Sequence, residues 1–262
     1  MRSGKGEKPM RILVTNDDGI YSPGIAALAK VAARLGDVRV VAPGVEMSSA
    51  SAAITASRPL SYKRTDVPGL ADIECYRVNG TPGDCVMLGT TLWEKTDLVL
   101  SGINLGTNLG NAMWHSGTLA GAKQAALLGL RGIALSAPAN DNEEPRFDIL
   151  GPWVETVLER LLEVPDLPLV NVNFPSKPPR GTHWTRQSLR HYDGRVVPGQ
   201  DPMGRTHYWF TVVPVEATEE GTDRWAIEQG YVSMTPLRLD LTDHDGLAKA
   251  RQTQVWKNLR FA

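Results

Sequence analysis

Residues 10–19 read MRILVTNDDG, a short apolar run that stops at two adjacent carboxylates, Asp17 and Asp18, followed by Gly19. Ile12, Leu13 and Val14 are apolar at consecutive rather than alternate positions. That pattern predicts a central strand of a parallel sheet covered by helices on both faces. In open sheets of this kind ligands gather beyond the carboxyl ends of the strands, where Asn16, Asp17 and Asp18 would fall. Two carboxylates ~5 Å apart at an effective dielectric of ~20 repel by roughly 3 kcal/mol. Arg11 lies at the start of the strand and Lys30 far along the next element, so a divalent cation is the natural counter-charge. A competing reading makes Asp18-Gly19 an ordinary turn with Asp17 solvated beside it, and from this stretch alone the two stand level.

The rest of the chain narrows the choice. With 262 residues, 42% of them hydrophobic and 22% charged, there is material for one large α/β domain with a sizeable core. The formal net charge is −1, without the Lys and Arg excess of duplex binders, so no nucleic acid duplex is expected as a partner. Cys75 and Cys85 form no CxxC pair, which argues against a zinc site or a disulfide framework and for reduced, buried thiols. The basic opening MRSGKGEKP lacks the apolar segment of a secretion signal, and no run approaches membrane-spanning length. A cytoplasmic protein with no membrane partner is expected.

Ser22-Pro23 supplies a helix cap and first turn, and Ile25, Leu28, Val31, Ala32 and Leu35 follow at helical spacing. Val38 to Ala42 then gives a second strand, so the opening is a β-α-β unit with the usual right-handed crossover. The loop PGVEMSSASAA, 43–53, leaves that strand at the same end as the acidic pair. Leu60 to Arg64 and Ile73 to Val78 alternate as a hairpin at the sheet edge. Thr81-Pro82-Gly83-Asp84 has the form of a capped helix start, with a structural role for Asp84.

A third strand, Asp97 to Ser101, runs into GINLGTNLG at 102–110, where glycines alternate with Asn104 and Asn108. Glycine lets backbone approach a ligand closely and the amides can coordinate or donate. Ser116-Gly117-Thr118 opens a helix, Leu119 to Leu130, whose free amides and dipole make an anion site, with phosphate the natural occupant. Gly132 to Ser136 and Leu169 to Phe174 read as strands, and Phe147 to Leu162 as a helix. Beyond about Pro175 the texture changes. Thr182 to Gln187 and Tyr208 to Pro214 read as strands separated by a polar loop, forming an arm in which Trp184, Tyr208, Trp209 and Trp225 gather for subunit contact. Tyr231 to Thr235 returns as a strand, and Leu247 to Leu259 closes as a helix. Asp240 with His244 is either an acid/base pair or a surface cap.

Together these elements predict an α/β fold, a Rossmann-like three-layer sandwich with a mostly parallel sheet, plus a C-terminal protruding hairpin and oligomerisation tail. Three parts are expected: a flexible N-terminal extension at 1–9, a catalytic core at 10–175, and a hairpin arm with C-terminal segment for oligomerisation at 176–262. The polar loops offer only oxygen donors: Asp17, Asp18, Asn104, and Ser48 or Ser49. Such donors suit Mg²⁺ or Mn²⁺ with open positions for water and a substrate phosphate. Metal-assisted phosphate hydrolysis follows.

RILVTNDDGIYSPGI, NGTPGDCV, DLVLSGINLGTNLG, HSGTLAGA and GYVSMTPLRLDLT occur in this order, and with them the chain resembles the survival-protein SurE family of nucleoside monophosphate phosphatases. The resemblance implies one divalent metal ion per subunit held by Asp17, Asp18, Ser48 and Asn104. It also implies a phosphate pocket of Asn108, Ser116, Gly117 and Thr118, with Asp17, Asp18 and Asn108 catalytic. The implied substrates are nucleoside 5′-monophosphates, with 3′-nucleotides and short polyphosphate as further candidates. A homodimer or homotetramer built through the hairpin and the C-terminal segment is implied as well. The chain departs from the family pattern at Gly44, Met47 and Thr107.

Two other classes lack their marks. A phosphoryl-accepting receiver domain wants an Asp at the end of its third strand and a later Lys, whereas DLVLS is followed by Gly and Asn, and GIALS by Ala and Pro. A dinucleotide-binding oxidoreductase wants GxGxxG after the first strand, where this chain has NDDGIYS. An aspartyl-phosphate phosphatase with Asp17 as nucleophile stays open.

Overall fold

The computed structural model describes residues 9–138, 146–189, 192–214 and 218–253. Strand β1 (Arg11–Thr15) is followed by helix α1 (Pro23–Ala32) and strand β2 (Asp37–Pro43), as the opening pattern requires. The edge hairpin is β3 (Tyr62–Arg64) and β4 (Glu74–Val78), and α2 (Pro82–Leu92) leads to β5 (Leu98–Leu105). After α3 (Gly117–Leu127) come β6 (Arg131–Ala137), α4 (Phe147–Leu162) and β7 (Leu169–Asn173). The last quarter supplies β8 (Thr182–Trp184), β9 (Tyr192–Gln200), β10 (Thr206–Pro214), α5 (Asp223–Glu228), β11 (Val232–Pro236) and α6 (His244–Gln252).

One nine-stranded sheet runs in the order β3-β4-β2-β1-β5-β6-β7-β11-β8. Every neighbouring pair is parallel except β3 with β4 and β7 with β11. Two-sided burial explains the consecutive apolar run of β1. Ile12 and Val14 pack with α1 and α4, whereas Leu13 faces the opposite way toward Cys85 and Val86 of α2 and Ala125 of α3. All three are fully buried, worth about 1.5–3 kcal/mol each relative to exposure. Cys75 and Cys85 are free and buried, as expected.

Helix starts follow their sequence signals. Ser22 caps α1 with Pro23 at its first position. Thr81 and Asp84 form a reciprocal capping box at α2, and Asp84 also accepts from the Thr55 N–H at 2.9 Å, so its role is structural. Burial lifts this carboxyl, but the hydrogen bonds from Thr55 and Thr81 prevail and hold it below the usual range.

The expectations for the last quarter need correction. Residues 182–184 and 232–236 do not belong to an arm standing apart from the sheet: they complete it, β11 beside β7 and β8 beside β11. The protruding hairpin is β9 with β10, paired from Thr206 opposite Gln200 to Pro214 opposite Tyr192. The stretch read as a polar loop between strands therefore contains a strand itself. Likewise β5 extends through Leu105 with a register shift between Ser101 and Asn104, so Asn104 sits on a strand end rather than in a loop. Helix α6 begins at His244, earlier than expected, and the end of the expected 247–259 helix lies outside the described residues, as do residues 1–8 of the N-terminal extension.

Candidate active site

The carboxyl ends of β1, β2, β5 and β6 meet the start of α3, and the acidic pair lies at that junction. Asn16 fixes the turn, its Nδ2 donating to the Gly19 carbonyl at 3.0 Å and to the Ser22 hydroxyl at 2.8 Å. The same side chain thus ties the acidic turn to the cap of α1. Asp17 is 3% exposed, and its Oδ1 accepts from the Thr118 hydroxyl at 2.7 Å. Burial pushes its carboxyl up from 3.8 to about 6; the Thr118 hydroxyl opposes the rise and the Asp18 charge adds to it. Asp18 is also raised, first by burial, against the Leu105 N–H that donates to its Oδ2 at 3.1 Å, and further by the charge of Glu46. Sequence reading passed over Glu46, and only the folded loop brings its charge to bear on Asp18.

Small residues let α3 approach this closely. A Cβ at Gly117 would lie 2.8 Å from Asp17 Oδ2, and one at Gly121 would lie 2.8 Å from Ser101 Oγ. The helix N-terminus therefore rests on the Asp17 carboxylate. Ser116 caps it, accepting from the Leu119 N–H at 3.0 Å.

From the other side comes the segment after β5. Asn104 Nδ2 donates to the Gly106 carbonyl at 2.7 Å, which leaves Oδ1 as the atom a cation would use. Asn108 is buried, with Nδ2 donating to Ser136 Oγ at 2.8 Å and to Thr118 Oγ1 at 3.3 Å. Both amide hydrogens thus have protein partners, and a phosphate oxygen would be met only in exchange for one of them, most cheaply the longer bond to Thr118. A relay runs from the Asn108 amide through the Thr118 hydroxyl to the Asp17 carboxylate.

The backbone of Asn108 is held by two residues that the sequence reading did not single out. Its N–H donates to Asn173 Oδ1 at 2.8 Å, and its carbonyl accepts from Asn171 Nδ2 at 2.8 Å and Asn173 Nδ2 at 3.1 Å. LVNVN in β7 alternates, but such alternation by itself reads as one face turned to water. Both asparagines are fully buried, so the polar face of that strand meets this segment instead of water.

The loop after β2 closes the third side. The Met47 N–H donates to the Asp17 carbonyl at 2.7 Å, and the Ser51 N–H to the His115 carbonyl at 3.1 Å. Ser48 is exposed, and its hydroxyl donates to Glu46 at 2.7 Å. Ser49 is exposed with φ 60. Asp240 and His244 are hydrogen-bonded at 2.8 Å with both side chains more than half exposed, a surface pair at the start of α6.

The candidate cation donors named beside the acidic pair, Asn104 Oδ1 and the serine hydroxyls, are all oxygens. Elevated carboxyls at Asp17 and Asp18, with Glu46 adding negative charge, fit a hard divalent cation completed by amide, hydroxyl and water oxygens. Among the described residues no cluster of three or more His, Cys, Asp or Glu could hold a metal ion, here or elsewhere, so a cation at the acidic pair would depend on amide, hydroxyl and water oxygens beside the two carboxylates.

Comparison with known proteins sets this geometry among relatives. The family model described as Survival protein SurE matches residues 12–194. A Thermus thermophilus protein named 5′-nucleotidase SurE 1 is 47% identical over 237 residues, covering 90% of this chain and 94% of its own. A Deinococcus radiodurans protein named 5′-nucleotidase SurE is 43% identical over 246 residues, covering 92% of each. The crystal structure of the SurE protein from Aquifex aeolicus superposes with a TM-score of 0.78 at 38% identity, covering 92% of this chain and 98% of that one.

Proposed function

The chain belongs to the survival protein SurE family, and on that premise we propose that it hydrolyses nucleoside 5′-monophosphates to nucleoside and phosphate, using one Mg²⁺ or Mn²⁺ per subunit. The observation that supports this reading is the contact between the acidic turn and the start of α3, where the Asp17 carboxylate accepts from the Thr118 hydroxyl and lies against Gly117. Asp17, Asp18, Asn104 and the Ser48 hydroxyl would hold the ion. When bound, such an ion polarises a phosphoryl oxygen and lowers the pKa of a water.

The remaining steps belong to side chains and backbone. The N-terminus of α3, at Ser116 to Thr118, binds the phosphate and stabilises charge as it develops on the transferring group. Thr118 orients Asp17, and Asn108 orients Thr118. Activity on 3′-nucleotides and short polyphosphate belongs to the same proposal, since the pocket features named here address the phosphate rather than the base. We further propose a homodimer or homotetramer assembled through the β9–β10 hairpin and the C-terminal segment, working in the cytoplasm. Among the described residues no helix is long and apolar enough to cross a membrane.

Release of phosphate from a panel of nucleoside 5′-monophosphates, measured with Mn²⁺ or Mg²⁺ and after exhaustive chelation, tests the reading. Turnover restored by adding back the metal is expected. Full activity in chelated protein, or none on any nucleotide with either metal, overturns it.

A further inference from the structure

The segment 106–114 is gripped a second time, two residues beyond Asn108, by groups from the base of the protruding hairpin. The Gly110 N–H donates to Asp223 Oδ2 at 2.8 Å, and the Gly110 carbonyl accepts from Gln187 Nε2 at 2.9 Å. Asp223 is 0% exposed, and its other oxygen, Oδ1, accepts from the Ser188 N–H at 3.0 Å and the Arg224 N–H at 2.8 Å. Three main-chain N–H groups thus satisfy a buried carboxylate, an arrangement that tolerates little movement because any donor lost would leave charge uncompensated. The partners lie on both feet of the hairpin, whose strands begin at Tyr192 and end at Pro214. An isolated bridge from Arg186 to Thr222 and the Asp223 N–H bond to the Arg186 carbonyl, 2.9 Å, hold those feet together.

We propose that Asp223 and Gln187 are positioning residues for the phosphatase site, fixing the Gly110 peptide so that Asn108 can set Thr118 against Asp17; this rests on the reading of the site given above. Neither side chain acts on substrate. Their effect passes through one short stretch of backbone, Asn108 to Gly110, which is clamped at one end by Asn171 and Asn173 and at the other by this pair. With only the first clamp, the Asn108 peptide is held but the Gly110 N–H and carbonyl lose the side-chain partners that fix them. Misplacements of about 1 Å away from the reacting atoms can cost about 10²-fold in rate.

Asp223→Asn is the sharp test, because an amide must turn its NH₂ toward one of the N–H donors that the carboxylate accepts from. Turnover should fall roughly 10- to 100-fold with KM within about twofold, as for an interaction that matters only at the transition state. In an Asn108→Ala background the same substitution should cost less than about threefold further, since residues acting as one unit are not additive. Gln187→Met, at a part-buried position, is the milder variant should Asp223→Asn fail to fold, with a loss of about 3- to 10-fold and the same non-additivity expected. Amide hydrogen exchange reads the clamp independently of activity: exchange at Asn108 and Gly110 should accelerate while β1 and β6 keep their protection. Wild-type turnover in the same assay separates the two levels. An inactive wild type overturns the reaction, whereas an active wild type with additive losses, wild-type kcat in both variants, or unchanged exchange overturns the positioning role.

Discussion

The strand ends around Asp17 and the β9–β10 hairpin break the same rule in opposite directions. At the strand ends polar groups are buried: Asp17, Asn108, Thr118, Asn171 and Asn173 are all nearly or fully excluded from water. On the hairpin apolar groups are exposed, with Val196 65%, Trp209 63% and Phe210 71% accessible. Burying polarity costs free energy unless each group finds a partner, so a connected network there fixes positions closely. Val196 and Phe210 are cross-strand partners on one face of the ribbon and Trp209 lies on the other, so both faces expose large apolar side chains, the feature behind the proposed assembly. On the function proposed above, the first region would hold a small charged ligand still and the second would be covered by a second copy of the chain.

Removing a carboxylate tests the first half of that contrast most severely. Asp17→Asn or Asp18→Asn should lower phosphate release from a nucleoside monophosphate by about 10²–10³-fold or more, since cation binding and charge stabilisation fail together. The variants should stay folded, because each substitution also relieves the roughly 3 kcal/mol of mutual repulsion estimated for a close pair. Circular dichroism beside the activity assay checks both, and a fully active variant would reduce the acidic turn to a loop.

The two asparagines offer a finer test. Asn104→Ala should lose activity that returns as Mn²⁺ is raised, by mass action on a weakened site. Asn108→Ala should lose about 10²-fold in turnover without metal rescue, because the relay to Thr118 and Asp17 is cut while the cation donors remain. Titrating turnover at saturating substrate against Mn²⁺ distinguishes them. The reverse pattern would exchange their roles.

The smallest effect on chemistry should come from the hairpin. Trp209→Ser with Phe210→Ser should shift the protein to lower mass by light scattering at micromolar concentration while phosphate release stays within about twofold of wild type. Unchanged mass would show that the exposed band is not the assembly surface.

The same contrast explains what could be read from the sequence. Strand β1 was legible because burial on both faces leaves a consecutive apolar run, and the paired carboxylates stop that run abruptly. Helix α4 was legible to its last residue, Phe147 to Leu162, because its apolar stripe is regular enough to outweigh Pro152, which lies inside the helix and removes one backbone hydrogen bond. Strand β9 was not, since a ribbon that packs on no core needs no alternation, and Gly194, Pro198 and Gly199 read as loop. The three residues of β8 are too few to show any period. Asn171 and Asn173 were hidden for a different reason. Alternating polarity normally means one wet face, and nothing in LVNVN says that the polar face meets another backbone. Gln187 and Asp223 lie 36 residues apart in segments with no motif, and only folding brings both to Gly110.

The placement of β11 between β7 and β8 also sets an order of events during synthesis. Strands β3 to β7, the acidic turn and the start of α3 are complete once the ribosome has passed Asn173, and they can pair as they emerge. Strand β8 cannot, because its neighbour β11 begins only at Val232, and Gln187 must wait for Asp223 before Gly110 is gripped from both sides. The hairpin is thus synthesised before either of the sheet's last two strands can pair, and Gly110 can gain its second grip only after Asp223 has emerged.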